Sequence, residues 1–387
     1  MISERFSPKV CFASYLWAFQ SPGGGEVQLL RTRHELQRLG VRVDLFDLWR
    51  TSLAEYDILH LFGSVRDFLE LARSGHAQGV SVVVSSIYWA DFASMWRSHT
   101  GLREKIRAAG HHATKILWPS CPSARGELLR MADRVLPNSE GEASCLRRHF
   151  AVRPDRIEVV PNGVDPVLAL ADPEAFVGAH GVRDFLLCVG RIEPRKNQLA
   201  LLRVFARLRE ARLRAQEADL RLVLIGEPVA TYGEYLRSCR SAGLPEEGTT
   251  RGGVTWLGAL PHDSPMLGSA YRAARLFVLP SWLETPGLAA IEAAACGTPV
   301  VVTSRGTTRE YFADEVEYTD GTEDDLLAAL RRGLVRGRSG AFQERILREY
   351  SWALAARRTL EVYRGLLGAR NATPAGGRRA WRPPVPV

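Results

Sequence analysis

The chain has 387 residues, of which 46% are hydrophobic and 24% charged, with a net charge of +8. That length exceeds what one hydrophobic core usually supports, so two domains are expected in an ordinary soluble globular protein. No apolar run is long enough to span a bilayer. Six scattered cysteines, with no CxxC pair and no His cluster beside them, argue against a metal site and for reduced thiols in a cytosolic protein.

The N-terminal stretch MISERFSPKVCFASYLWAF begins with charged and polar residues, so its apolar run predicts a first strand, Val10–Ser14, rather than a signal peptide. Further strands are expected at Val41–Phe46, Ile58–Phe62, Val80–Ser85, Arg134–Pro137 and Ile157–Val160. After Pro161 the alternation restarts with Phe185–Val189, Leu220–Ile225, Val254–Leu257, Leu276–Leu279 and Val300–Thr303. Amphipathic helical patterns such as Val27–Leu39 and Leu199–Leu213 lie between the strands. This order predicts an α/β protein of two doubly wound parallel-sheet, Rossmann-like domains facing a central cleft. The turn-rich joint VVPNGVDP divides them, giving domains at 1–164 and 165–349. A helical stretch, Glu344–Leu367, is expected to cross back to the first domain over 350–368, followed by a disordered basic tail at 369–387.

The positive charge is concentrated in two places. Arg370, Arg378, Arg379 and Arg382 lie in the Pro/Gly-rich tail, and removing them halves the excess. The segment 96–118 carries Arg97, Arg103, Lys105, Arg107 and Lys115 against Glu104, with Trp96, Ile106, Ile116 and Trp118 interleaved. It reads either as a solvated face or as a candidate for peripheral membrane contact.

Four loops at strand ends carry chemistry. SPGGGEVQLL opens a helix behind Gly23, Gly24 and Gly25, where a backbone can approach a phosphate, though its spacing fits neither GxGxxG nor a Walker loop. CVGRIEPRKNQ offers Arg191 and Lys196, a guanidinium and an ammonium suited to a diphosphate. VTWLGALPHDS forms a loop in which backbone groups around Leu260 can meet a base edge. LPSWLETPGLAAIEAAACGTPVVV predicts a helix capped by Thr285, with Pro286 at its first position and Gly297 at its end.

Glu292 lies on that helix with no basic residue three or four positions away, so its partner must come from elsewhere. Glu284 precedes the helix, and the N–H groups of Gly287 and Leu288 are ready for an anion. Two carboxylates on either side of an anion-binding helix end suit a ligand with hydroxyls, then phosphates, then hydroxyls. A nucleotide sugar has that order.

Taken together, SPGGGE, PNGVD, Gly190-Arg191…Lys196, Gly258-Ala-Leu-Pro and Glu284-x7-Glu292 followed by ACGTPVV resemble the retaining group-4 glycosyltransferases of the GT-B fold. The resemblance covers about residues 9–365. It implies transfer of a hexose-type sugar from a nucleotide-sugar donor, UDP- or GDP-linked, to a hydroxyl acceptor with retention; the sequence shows no DxD-like loop for a metal, so fixed cations are expected in place of Mg²⁺ and no cofactor is expected. It implies that Arg191 and Lys196 bind the diphosphate and that Glu284 contacts the sugar. Glu292 would hold the ribose, Leu260 would touch the base, and Gly24 and Gly25 would lie under the phosphates. A cytoplasmic location follows, with the inner membrane face as an option through segment 96–118. Two departures stand out. Many members have Phe at the position of Pro286, and many have a His after the fourth strand, where this chain reads VVVSSIYWADF. His60, Ser86 and Tyr88 are the acceptor-side candidates left in that half. A nucleotide-sugar epimerase of the same fold, or a basic nucleic-acid-binding protein, are the competing readings; the split charge disfavours the latter, and no nucleic-acid partner is expected.

Overall fold

The computed structural model describes residues 7–16, 18–20, 22–90 and 102–372. Contacts group the described residues of 1–90, 110–162 and 352–387 into one unit and those of 91–109 and 163–351 into another. Each unit has its own sheet.

The first unit is built on β1 (Lys9–Ala13), β2 (Arg42–Leu45), β3 (Ile58–Phe62), β4 (Ser81–Ser85) and β5 (Arg134–Val135), in the order β2-β1-β3-β4-β5. All four pairings are parallel. A parallel sheet is covered on both faces, and accordingly every residue of the β3 sequence ILHLF is buried. Leu59, Leu61, Val82 and Val84 pack with Leu128 and Phe150 on one of those faces. The long helix Trp352–Ala372 belongs to this unit and packs along helix Gly24–Arg38. The expected late helical stretch is therefore two helices, Gly340–Glu349 and Trp352–Ala372, interrupted at Tyr350 and Ser351. The second runs past the expected start of the tail. Residues 373–387, including Arg378, Arg379 and Arg382, lie outside the described residues, as do Asp91, Trp96 and Arg97.

The second unit contains β6 (Phe185–Val189), β7 (Arg221–Ile225), β8 (Thr249–Arg251), β9 (Val254–Trp256), β10 (Leu276–Leu279), β11 (Val300–Thr303) and β12 (Glu317–Thr319). Their order is β12-β11-β10-β6-β7-β9-β8, and only the β8–β9 pair is antiparallel. Because strand side chains alternate between faces, the apolar strands divide cleanly. Leu187, Val223, Phe277 and Val302 enter one core, while Leu186, Leu222, Val278 and Val301 enter the other.

Two short strands, β8 and β12, were not expected from the sequence. One expected strand, Ile157–Val160, is replaced by a single bridge from Ile157 to Val135, beside a β5 only two residues long. Glu158 N–H still donates to Val135 and Val160 N–H to Pro137, so the segment runs alongside β5 without a full ladder.

Candidate active site

In the second unit the chain proceeds from β6 to β7 and β9 on one side, and from β10 to β11 and β12 on the other. Neighbouring strands β6 and β10 thus mark the point where strand order reverses, and ligands of open α/β sheets bind outside the carboxyl ends there. The loops leaving these two strands carry Arg191, Lys196 and Glu284. They are tied together by backbone and amide bonds. Trp282 N–H donates to the Arg195 carbonyl at 2.8 Å, and Arg195 Nη1 donates to the Leu283 carbonyl at 3.2 Å. Asn197, in the left-handed region at φ 59°, donates from Nδ2 to the carbonyls of Pro280 and Gly321. Side chains on loops cross-braced in this way lose little freedom when a ligand arrives.

The centre of the brace is Glu284, 4% exposed. Lys196 Nζ donates to its Oε1 at 2.6 Å, Ser281 Oγ donates to the same oxygen at 2.5 Å, and Arg195 Nη1 stands 3.7 Å away. Burial alone would raise the Glu284 pKa, but Lys196 and Arg195 outweigh it and hold the carboxyl below its ordinary range. Burial likewise pushes the Lys196 ammonium down, against the upward pull of Glu284. Arg191 is more open, its side chain one-third exposed, with Nη2 at 3.6 Å from Glu193 Oε2.

The helix after Glu284 begins later than expected, at Leu288, and ends at Ala295. Its N-cap is Gly287 at φ 89°, not Thr285, so Pro286 precedes the helix rather than opening it. The helix is buried over all of Ala290–Ala295, as a helix apolar on every side must be. Its first N–H groups, at Leu288 and Ala289, lack partners within the helix by geometry.

Glu292, though without a partner on its own helix, has protein partners from elsewhere. Tyr271 donates its hydroxyl to Oε2 at 2.7 Å, and His262 Nε2 lies in hydrogen-bond range of Oε1. The expectation that the partners of this carboxylate would be ligand hydroxyls is corrected to that extent. Burial, followed by the charge of Glu292, keeps the Tyr271 hydroxyl protonated far beyond its ordinary range. Leu260 and His262 share the loop after β9, and Leu260 rests half-buried against the core below that loop.

In the first unit, Gly24 and Gly25 open helix Gly24–Arg38, and Glu26 reaches back to accept from the Gly23 N–H at 2.8 Å. Gly24 is exposed and Gly25 half-buried, so this helix start is open to an anion. The acceptor-side candidates are different. His60 is 1% exposed, with Nδ1 at 2.6 Å from Tyr363 Oη and Nε2 at 3.0 Å from Ser85 Oγ. Burial pulls its pKa down to about 3. Both ring nitrogens are engaged in the core, so His60 joins β3 to helix Trp352–Ala372 rather than facing a ligand. Ser86 donates to the buried Glu142 at 2.5 Å, and the Tyr88 hydroxyl lies 3.2 Å from His149 Nδ1. Ser86 and Tyr88 are therefore also buried members of an internal network.

Arg195, Ser281, His262 and Tyr271 are the site residues that sequence reasoning passed over. Arg195 sits between two residues of the quoted EPRK motif, and His262 follows Pro261 in the quoted loop, so a signal existed for both. Nothing local marks Tyr271, which lies 21 positions from the carboxylate it meets.

A family model described as glycosyl transferases group 1 matches residues 183–335, and one described as Glycosyltransferase Family 4 matches residues 22–168. The chain is 32% identical to a D-inositol 3-phosphate glycosyltransferase of Segniliparus rotundus, over 64% of this chain and 56% of that protein. The match thus spans little more than half of that relative. A D-inositol 3-phosphate glycosyltransferase of Mycobacterium marinum is 34% identical, with 94% of this chain and 85% of that protein covered. Sucrose-phosphate synthase of Thermosynechococcus elongatus superposes with a TM-score of 0.69 at 19% identity, covering 93% of this chain and 100% of that one. At that identity the likeness speaks for the fold.

Proposed function

The chain belongs to the group-4 glycosyltransferases of the GT-B fold, and from that premise we propose that it moves a hexose-type sugar from a nucleotide-diphosphate sugar to a hydroxyl acceptor, with retention and without a metal ion. The observation that carries this reading is the braced cluster of Arg191, Lys196 and Glu284 at the β6–β10 reversal, beside the start of helix Leu288–Ala295.

As the bond from C1 to the diphosphate oxygen stretches, negative charge grows on the departing phosphate. Arg191, Lys196 and the N–H groups at the helix start stabilise that charge, and such fixed electrostatics contribute several kcal/mol in a closed site. The acceptor oxygen bonds to C1 on the face the phosphate leaves, and its proton passes to the departing phosphate oxygen. No enzyme nucleophile is required. Lys196, Ser281 and Arg195 all meet Oε1 of Glu284, which leaves Oε2 for a sugar hydroxyl. Glu292 takes the ribose and the Leu260 loop takes the base. Cytoplasmic supply of the donor fits this chemistry. Helix Leu102–Leu117 exposes Ile106, Ile116 and Leu117 near Arg103 and Arg107, which supports peripheral contact with an anionic membrane.

Product analysis tests the reading. The pure protein with UDP- or GDP-hexoses and candidate acceptors, D-inositol 3-phosphate among them, is expected to release nucleoside diphosphate and an axial-for-axial glycoside in the presence of a chelator. Conversion of the donor alone into its epimer would replace this reading with the epimerase. Loss of transfer on chelation would remove its metal-independence.

A further inference from the structure

Tyr271, on helix Pro265–Ala273, is fully buried, and its hydroxyl is aimed at Glu292, itself 4% exposed. A buried phenol needs an acceptor, but a backbone carbonyl would serve that need without involving the site. Tyr271 is fixed in its turn: Thr298 Oγ1 donates to its carbonyl at 2.5 Å, and its ring packs on Phe277 at 5.7 Å between centroids. Thr298 stands just past the end of the helix that carries Glu292. The carboxylate and the hydroxyl that orients it are thus anchored to the same pair of elements. Its two oxygens differ in their surroundings. Oε2 meets the fully buried Tyr271, whereas Oε1 meets His262, whose side chain is 28% exposed. Each carboxylate oxygen has two lone-pair sites, so one on each remains after these bonds.

We propose that Tyr271 is a positioning residue for the donor nucleoside: by holding Oε2 it sets the angle at which Glu292 presents its remaining lone pairs to the ribose hydroxyls, with His262 as the exchangeable partner on the outer side. This deepens the assignment of Glu292 above and depends on it. Tyr271 touches no substrate atom. Its effect falls on donor binding and ribose recognition rather than on the chemical step.

The test compares inhibition by UDP with dUDP, and by GDP with dGDP, in the full chain. Wild-type protein is expected to favour the ribose form by about tenfold, the scale of a hydrogen bond to a charged group. Tyr271→Phe keeps the ring and removes the oxygen; it should narrow that ratio to about threefold and raise donor KM about fivefold while kcat stays within about twofold. His262→Ala should leave the ratio within about twofold of wild type, because Tyr271 still orients the acid. A Tyr271→Phe protein that melts lower but keeps the wild-type ratio and KM would reduce Tyr271 to a core residue. Loss of the ratio in His262→Ala, with Tyr271 intact, would move the positioning role to His262 and overturn the proposal, and this arm stands even if Tyr271→Phe fails to fold. Glu292→Gln separates the two levels. If it keeps the ribose preference, the ribose role of Glu292 fails, whatever Tyr271 does.

Discussion

Arg191 and Lys196 look equivalent in the sequence, and the sequence alone suggests that alanine at either would harm turnover more than folding. Their surroundings separate them. Arg191 is one-third exposed at the side chain, so Arg191→Ala should lower the unfolding free energy from urea titration by less than about 1 kcal/mol while lowering kcat about 100-fold. Lys196 is the 2.6 Å partner of a carboxylate that is 5% exposed at the side chain. Lys196→Ala leaves that carboxylate only Ser281 and the more distant Arg195, and should destabilise by about 3 kcal/mol as well as stopping transfer. Equal midpoints for the two variants would refute the contrast. The same pair makes stability depend on acid. Folded Glu284 is held below its ordinary value of 4.5, so the unfolded chain takes up that proton first as pH falls. The stabilisation is whole above that ordinary value and is lost as pH drops through the lower folded one. Glu284→Gln mimics the protonated acid, so its deficit against wild type should be largest at neutral pH and shrink below 4.5. Denaturant midpoints across that range check this; a deficit that stays constant into strong acid would disprove it. Glu284, Glu292, Arg191 and Lys196 were legible because charge in an apolar or strand-end setting is conspicuous along the chain. Tyr271 was not, because its meeting with Glu292 exists only after two helices pack.

At the scale of elements, the loop holding Glu284 is closed by the β11 loop. Thr307 N–H donates to the Glu284 carbonyl at 3.1 Å, and Glu284 bridges to Gly306. A Cβ on Gly306 would stand 1.9 Å from that carbonyl oxygen, and its φ is +95°. Gly306→Ala must therefore push the Glu284 loop away, at about 2–3 kcal/mol in strain and overlap. Gly181→Ala is the matched control: φ is +61° with nothing within 4 Å, so only conformational strain of about 1 kcal/mol is expected. Thermal midpoints and donor KM measure both; a Gly306→Ala protein no worse than the control in either would show the closure to be slack. The same scale explains the missed hairpin. Gly252 and Gly253, at φ 58° and 81°, make the two-residue turn that joins β8 to β9, and Gly-Gly between Thr- and Val-containing runs is a hairpin signal. Ile157–Val160 was overread for the opposite reason: an apolar run supplies a strand's residues, but β5 is too short to supply a ladder.

For the whole molecule, the parallel strands were readable because buried parallel strands are continuous apolar runs, whereas strand order had to come from the fold. That order is what brings Arg191, Lys196 and Glu284 together. The formal charge of +8 invites a polyanion, but the cations of the site are committed to carboxylates: Lys196 to Glu284, and Arg195 to Glu193 at 2.8 Å. Such a site suits a compact anion carrying hydroxyls that can share those carboxylates, and a nucleic-acid backbone offers no equivalent of the sugar end. A nucleotide sugar at 100 times its dissociation constant stabilises by about 2.7 kcal/mol. At about 2–4 °C per kcal/mol for a domain of 150–250 residues, the melting transition should rise by about 5–10 °C. Arg191→Ala and Glu292→Gln should each remove most of that rise if, as proposed, they hold the diphosphate and the ribose. Single-stranded RNA of equal charge concentration should produce none, and any association it does show should vanish with moderate salt. A chain stabilised by RNA and indifferent to every nucleotide sugar would mean that the braced cluster is only a structural clamp between two loops. The two carboxylates would then satisfy neighbours rather than recognise a donor.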